Sequence, residues 1–399
     1  MTNILSVPEE MSSYLTFFQK SFSKPQFERF TEHTLSMIID PKYTSNRINK
    51  HFFHKVNQST SNRFLTESPW DEKKVETKMF QLIQSQSFLP KYRIAALDDT
   101  LSHKKYAKKT EGVGKHHDHL NSTFSNGHDI VSIGIHTEQG CIPLALKPYV
   151  KKQDILSQMV FKTKNSIADE AIEQIHKSIP LNVMTMDSWY GNNTNLLLSL
   201  KWKMIKFVAA IKSNRNFTIG HKKQYVREYY IKLEKKDFKI YIEKKSKRRF
   251  RLHKADGFMS KLGTITLLIS QMFDEKENKW LEPFYIITDL KNKSAIEILC
   301  LYLKRSSIES FHREAKQNLN LESYWLRSYK GIVRHLFLVV IAYVFLMLMM
   351  LNLAMEATIG KMCEYVKKCC ETVSFHTMIN MKKSLLFEES NMQNLGLIV

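Results

Sequence analysis

The sequence predicts an α/β protein: a mixed sheet with helices on its faces, a helical region before it and a β-rich insertion inside it. Two short apolar runs that end in acids, YRIAALDD (92–99) and LNVMTMD (181–187), read as buried strands. Around them, three strands are followed by helix, strand, helix and strand, which is the order of a mixed sheet covered by helices. Between 213 and 283, segments such as QYVREYYIKLEKKDFKIYIEKK alternate at period 2, which argues for an inserted β region.

The elements follow in chain order. Residues 1–88 form a helical domain, with apolar residues at helical spacing in YLTFFQKSF and FERFTEHTLSMII. YTSNRINKHFFHKV and NQSTSNRFL then read as two short helices, the second capped by Ser59, Thr60 or Ser61. Such a pair suggests a helix-turn-helix with Arg47, Lys50, Lys55 and Arg63 available to phosphates, a weak signal because small bundles share it. Pro69 marks the start of a further helix. The core's first part spans 89–212, with strands at 92–99, 129–136, 142–150, 181–187 and 206–212 and helices at 166–178 and in TNLLLSLKW. The insertion covers 213–283, the core resumes over 284–356, and 357–399 is a tail without a readable pattern.

Composition narrows the function. A chain of 399 residues with 43% hydrophobic and 25% charged residues is globular rather than disordered. Its 60 Lys+Arg against 39 Asp+Glu leave a formal charge of +21, which favours a polyanionic partner, nucleic acid first and an acidic membrane surface second. Five cysteines without zinc-type spacing suggest reduced thiols and a cytoplasmic protein, and MTNILSVPEEMSSYL carries no export signal. Leu336–Leu351 is uncharged and apolar; it is expected as a buried core helix rather than a membrane span.

The chemistry is carried by acids. YLKRSSIESFHREAK (302–316) sets Tyr302, Arg305, Glu309 and Lys316 at steps of 3, 4 and 7. At about 100° per residue these four share one narrow face, and no Gly or Pro interrupts a continuous helix over Ser294–Lys316. A carboxylate among cations suits phosphodiester chemistry: carboxylates hold Mg²⁺ through oxygen, and Arg and Lys bind phosphates of the same strand. The bland alternative, a surface ion pair between Arg305 and Glu309, accounts for nothing at the two strand ends.

These residues together resemble a DDE transposase of a bacterial insertion sequence, in the branch with a Y-x2-R-x3-E-x6-K motif and particularly the DDE-superfamily endonuclease group. LDDT (97–100) matches the first acidic motif, HKKYAKKTEGVGKHHDHLNSTFSNGHD its continuation, and TMDSWYG the second acid; the likeness spans about residues 44–350. The resemblance implies an RNase H-like core in which Asp98, Asp187 and Glu309 are catalytic and hold two Mg²⁺ ions, with Mn²⁺ as the alternative metal. Adjacent strand residues face opposite ways, so Asp98 is preferred as first ligand and Asp99 kept as its substitute. Arg305 and Lys316 would hold terminal phosphates and Tyr302 would position the same strand. The run KKSKRRFR supplies further DNA contacts through Lys244, Lys245, Lys247, Arg248, Arg249 and Arg251, against the alternative of a solvated hairpin tip. The implied partners are DNA, as terminal inverted repeats and target, and a second copy of the chain in a homodimer on DNA, with no membrane. Two alternatives stay open: an RNase H-fold nuclease without strand transfer, and a non-catalytic DNA-binding protein derived from a transposase.

HHDH (116–119) invites a zinc reading with His103, His128 or His136, but a place at the lip of the site or in a hairpin loop is preferred. Trp189, Tyr190 and Trp280 could each stack on an unpaired base, with core packing the alternative for each.

Overall fold

A computed structural model describes residues 7–52, 55–118, 121–157, 159–244 and 246–394. In chain order, α1 (Glu9–Thr16), α2 (Lys24–Ile39), α3 (Gln58–Thr66) and α4 (Glu72–Gln84) precede β1 (Ile94–His103), β2 (Gly114–Asp118), β3 (Thr123–Thr137) and β4 (Gly140–Tyr149). Next come α5 (Lys164–Ser178), β5 (Val183–Met186), α6 (Ser188–Gly191), α7 (Thr194–Trp202) and β6 (Lys206–Ile211). The segment that follows holds β7 (Asn216–Ile219), β8 (Lys222–Tyr225), α8 (Val226–Ile231), β9 (Lys239–Ile242), β10 (Arg249–Met259), β11 (Gly263–Asp274) and β12 (Lys279–Trp280). The chain then runs through β13 (Phe284–Thr288), α9 (Ala295–Leu303), α10 (Ser306–Asn318), α11 (Tyr329–Asn352) and α12 (Ile359–Asn394). Two compact units result, one from Met1–Leu89, Ser102–Gly127 and His312–Val399, the other from Pro90–Leu101 and His128–Phe311.

The first unit is organised by α11. Its sequence is apolar all round, so the helix buries all its faces, against α1, α2, α3, α4 and α12. Its 24 residues would reach across a bilayer, but 89% of its most apolar window is buried in protein, the arrangement of a core helix. Its one buried guanidinium, Arg334, is satisfied by the carbonyls of Phe64, Leu65, Ser68 and Trp70 and by the Glu72 carboxylate, tying α11 to the link between α3 and α4. The tail's α12 packs on α2 and α11, so it belongs to this unit.

The expected helix-turn-helix is not formed among the described residues. Where YTSNRINK was read as a helix, only a single 3₁₀ turn, Ile48–Lys50, is present. Asp40 organises this stretch as a loop: its carboxylate accepts from the Lys42 amide and from the Arg47 and His51 side chains. Arg47 is thereby committed to Asp40 rather than free for a phosphate. The cap of α3 is Asn57, whose side chain accepts from the Ser59 amide, not Ser59, Thr60 or Ser61.

The second unit is the RNase H-like core. Its sheet runs in the order β3-β1-β5-β6-β13-β11-β10-β7-β8, with β4 on β3, β9 on β10 and β12 on β11. β1, β5 and β6 are parallel neighbours, and their residues Ile94–Leu97 and Val183–Met186 are buried, as an apolar run between helical layers must be. The inserted segment extends this same sheet: β10 pairs antiparallel with β11 over Phe250–Met259, β11 with β13, and β13 with β6.

Candidate active site

The parallel register places two acids side by side. Leu97 lies opposite Met186, so the next residues, Asp98 within β1 and Asp187 just past β5, follow the last pair of these neighbouring strands. Asp187 is fixed by its own backbone: it caps α6, accepting from the amides of Trp189 at 3.0 Å and Tyr190 at 3.2 Å. Gly191 completes that turn. A Cβ there would lie 2.0 Å from the Ala210 carbonyl oxygen, so only glycine lets α6 dock this closely on β6.

The third acid arrives differently from the sequence expectation. Ser294–Lys316 is not one helix but two, α9 and α10, broken at Lys304–Arg305. Over the break the amides of Arg305, Ser307 and Ile308 bond three residues back, and the Ser306 hydroxyl takes the Leu303 carbonyl. The break releases the Arg305 side chain inward. One terminal nitrogen donates to Asp98 Oδ2 at 2.8 Å and the other pairs with Glu309. Asp98 and Glu309 therefore meet through a shared guanidinium, with Asp187 close enough to raise Asp98 electrostatically.

Tyr302 is 9% exposed, in the core beside Val208, Ile286 and Ile298, with its ring 5.2 Å from Phe284. The Arg305 guanidinium carbon lies 6.0 Å from its ring centre. A side chain so buried packs within the core of this unit. Lys316 belongs to the first unit, where it forms a 2.7 Å ion pair with Glu322.

A second charged cluster settles the two adjacent acids of β1. Asp99 turns away from Arg305 and meets Lys164, at the start of α5, at 2.5 Å; Lys164 also reaches Asp129 on β3 at 3.0 Å. Asp98, not Asp99, thus faces the Arg305–Glu309 side, as strand alternation requires. Burial works to lower the Lys164 ammonium, but Asp99 and Asp129 outweigh it and hold the group above its ordinary value. Lys164 further lies 4.6 Å from the ring of Trp189, which is 55% exposed. Sequence reasoning passed over Asp129 and Lys164 because nothing local marks them; each acquires its partner only through the sheet.

The electrostatics describe a site short of positive charge. Burial, with Asp99 and Asp187 nearby, pushes the Asp98 carboxyl up to about 7 despite Arg305. Burial also raises Asp187, against its two amide bonds, and pushes Asp129 to about 7 with Asp99 adding to the effect. Tyr190 is fully buried beside these four carboxyls, its hydroxyl without a hydrogen-bond partner among the described residues.

The basic run is the tip of the β9–β10 hairpin. Lys244, Lys247 and Arg248 are exposed there, whereas Lys245 lies outside the described residues. Arg249 and Arg251 are engaged within the protein: Arg249 lies 3.7 Å from the Phe273 ring and Arg251 5.0 Å from Trp280, with its Nε donating to Gln271. Trp280 itself packs on Phe273 at 5.0 Å, a structural role. HHD of the histidine segment forms β2, paired with β3, and His119 lies outside the described residues. Among the described residues no cluster of His, Cys, Asp and Glu is preassembled around a metal position, neither here nor at the acids. All five cysteines are unpaired with one another.

Residues 44–232 match the family model of the DDE superfamily endonucleases. That span includes Asp98, Asp99 and Asp187, while Glu309 lies beyond it. No curated protein matches the chain. The family implies divalent metal, and the donor set fits: three carboxylates supply hard oxygen ligands, two of them raised by burial for want of positive charge, and Arg305 stands as the cation between Asp98 and Glu309.

Proposed function

We propose that this chain, a DDE superfamily endonuclease by residues 44–232, is a DNA transposase that cuts the ends of its element and joins them to target DNA. The observation that carries the reading is the meeting of Asp98, on β1, with Glu309, on a helix 211 residues later, through one guanidinium beside Asp187. A structural ion pair needs no third acid, and acids supplied by two neighbouring strands and one helix suit phosphodiester chemistry.

Asp98, Asp187 and Glu309 would hold divalent ions, Mg²⁺ or Mn²⁺. Such ions supply a water nucleophile at neutral pH and stabilise the leaving oxygen. The protein's share is positioning: Asp187 is fixed by its cap, Asp98 by its place in β1, and Arg305 by the two carboxylates it pairs with. With its carboxylates taken by metal, Arg305 is free to bind a phosphate of the strand being cut. Hydrolysis breaks one P–O bond and leaves a 3′-OH on the element. In joining, that hydroxyl attacks a target phosphodiester and expels the target's own 3′ oxygen, with no covalent protein intermediate. The exposed Lys244, Lys247 and Arg248 add backbone contacts, and a homodimer would hold two ends together.

The test uses a labelled duplex carrying the element's end, incubated with Mg²⁺ or with EDTA, and a second assay with a precleaved end. Metal-dependent nicking with strand transfer supports the reading. Nicking without joining favours a nuclease of the same fold, and absence of metal-dependent nicking refutes both.

A further inference from the structure

In the second unit, the Asp187 carboxylate is held by two amides, those of Trp189 and Tyr190, and both bond the same oxygen, Oδ1. What holds those two residues decides how well Asp187 is placed. They belong to α6, which is four residues long and too short to be rigid by its own hydrogen bonds. Gly191 docks the far end of α6 on β6. At the near end the two side chains lead to one cluster. The Lys164 ammonium lies 4.6 Å from the centre of the ring of Trp189, which is 55% exposed. Tyr190 is fully buried; after burial, Asp99 and Asp129 do most to keep the proton on its hydroxyl, so that hydroxyl sits by the two acids that Lys164 pairs with. Lys164 itself is fixed. It opens α5, whose first turn is capped by Thr163, accepting from the Ser166 amide at 3.1 Å. Its side chain is 13% exposed between Asp99 on β1 and Asp129 on β3. One buried cation thus joins two strands and a helix to the turn beside Asp187.

We propose that Lys164 is a positioning residue for the metal site: seated between Asp99 and Asp129, it steadies Trp189 and Tyr190 and so holds their amides on Asp187. The inference rests on the reading that Asp98, Asp187 and Glu309 hold divalent metal. Lys164 touches neither metal nor DNA in this role. Contacts behind the ligands supply ligand orientation, and losing them costs a metal site about 10- to 100-fold in affinity. The sign of the effect is diagnostic. Removing a cation from beside a divalent ion relieves repulsion, so by charge alone metal would bind equally or more tightly. Loosening the α6 turn does the opposite. Trp189 separates the two further, because its truncation keeps the backbone amide that bonds Asp187 and changes no charge.

The test is Mn²⁺ binding to the full chain by calorimetry, without DNA, at a temperature where the melting curves show the variants folded. Lys164→Met is expected to weaken Mn²⁺ binding about 10- to 100-fold despite the lost positive charge. Lys164→Arg is expected to restore most of the loss, since a guanidinium keeps the charge and stacks on an indole. Trp189→Ala should weaken Mn²⁺ binding in the same direction. The double variant Lys164→Met/Trp189→Ala should lose less than the two single losses combined, because both loosen one turn. Equal or tighter binding in Lys164→Met, unchanged binding in Trp189→Ala, or additive losses in the double variant overturns the proposal. If Lys164→Met does not fold, Trp189→Ala decides alone, weaker Mn²⁺ binding supporting the proposal and unchanged binding overturning it. Any of these failures in a chain whose wild type binds Mn²⁺ sinks this inference alone; wild-type protein that takes up no Mn²⁺ sinks the functional reading with it.

Discussion

Arg305 donates to Asp98 at 2.8 Å although the two residues lie 207 apart in sequence, and its other arm pairs with Glu309. The guanidinium thus stands where positive charge is needed, between two carboxylates that pair with no other cation among the described residues. A divalent ion binding those carboxylates competes with it. Arg305→Gln should therefore destabilise metal-free protein in urea unfolding by about 3 kcal/mol, the cost of a broken buried pair, yet leave Mn²⁺ affinity by calorimetry equal or higher. A fall in Mn²⁺ affinity would mean that Arg305 helps to build the metal site rather than filling it.

Single removal of any one acid tests the site itself. Asp98→Asn, Asp187→Asn and Glu309→Gln should each reduce metal-dependent nicking by roughly 10²-fold or more. DNA affinity measured in EDTA should stay near wild type. An active Glu309→Gln variant would remove the third acid from the mechanism, and Asp99→Asn should be the milder of the two β1 changes.

Stability should depend on pH in a definite direction. Burial raises Asp98 and Asp129 to about 7 from an ordinary value of 3.8. Between pH 4 and 7 the folded protein keeps protons that the unfolded chain has released, so stability falls as pH rises through that window. Glu32, raised to about 7 by burial, adds to this trend; His33 and His335, lowered by burial to about 4 and about 3, oppose it below pH 6.5, and Asp40, lowered to about 2 by Arg47 and His51 against its burial, opposes it only below the window. Metal-free protein should accordingly melt lower at pH 8 than at pH 5.5, and Mg²⁺ should recover part of the difference at pH 8. A melting temperature that rises over this range would contradict the buried, charge-poor site.

Lys164 pairs with both Asp99 and Asp129, the one partly and the other almost fully buried. Lys164→Met leaves Asp99 and Asp129 uncompensated and should cost about 3–5 kcal/mol in urea unfolding. Adding Asp129→Asn should return part of that loss, because one of the stranded charges is gone. Additive losses in the double variant would show that the pair is not electrostatically coupled.

The hairpin tip separates surface cations from packed ones. Lys247→Ala and Arg248→Ala should weaken DNA binding without destabilising the fold, each reducing the salt slope by about 1 if it contacts a phosphate. Arg249→Ala, which loses its packing on Phe273, should instead lower the melting temperature. Identical salt slopes in wild type and both surface variants would exclude the tip from the interface.

Much of this architecture was legible in the chain. The runs IAALDD and NVMTMD are strands because a buried strand between helical layers must be apolar throughout, and the acids that end each run mark where it emerges. The apolar stretch of α11 reads correctly as a core helix. What failed was local and instructive. The residues around Ile48 have helical spacing, but Asp40 offers a carboxylate that three neighbours bond instead. The stretch Ser294–Lys316 has no breaker residue, yet it bends at Lys304–Arg305, where the Arg305 side chain finds two carboxylates. No periodicity reports a partner that is distant along the chain.

Residue order alone determined the α/β class, the positions of the strands and the acids at their ends, and the excess of positive charge, because hydrophobic period and charge are properties of neighbouring residues. Tertiary structure decided which acid of the Asp98–Asp99 pair faces Arg305, that Tyr302 is buried in the core, and that Lys164 and Asp129 meet Asp99. Those outcomes depend on strand register and on the bend before α10, which bring together side chains that the sequence keeps far apart.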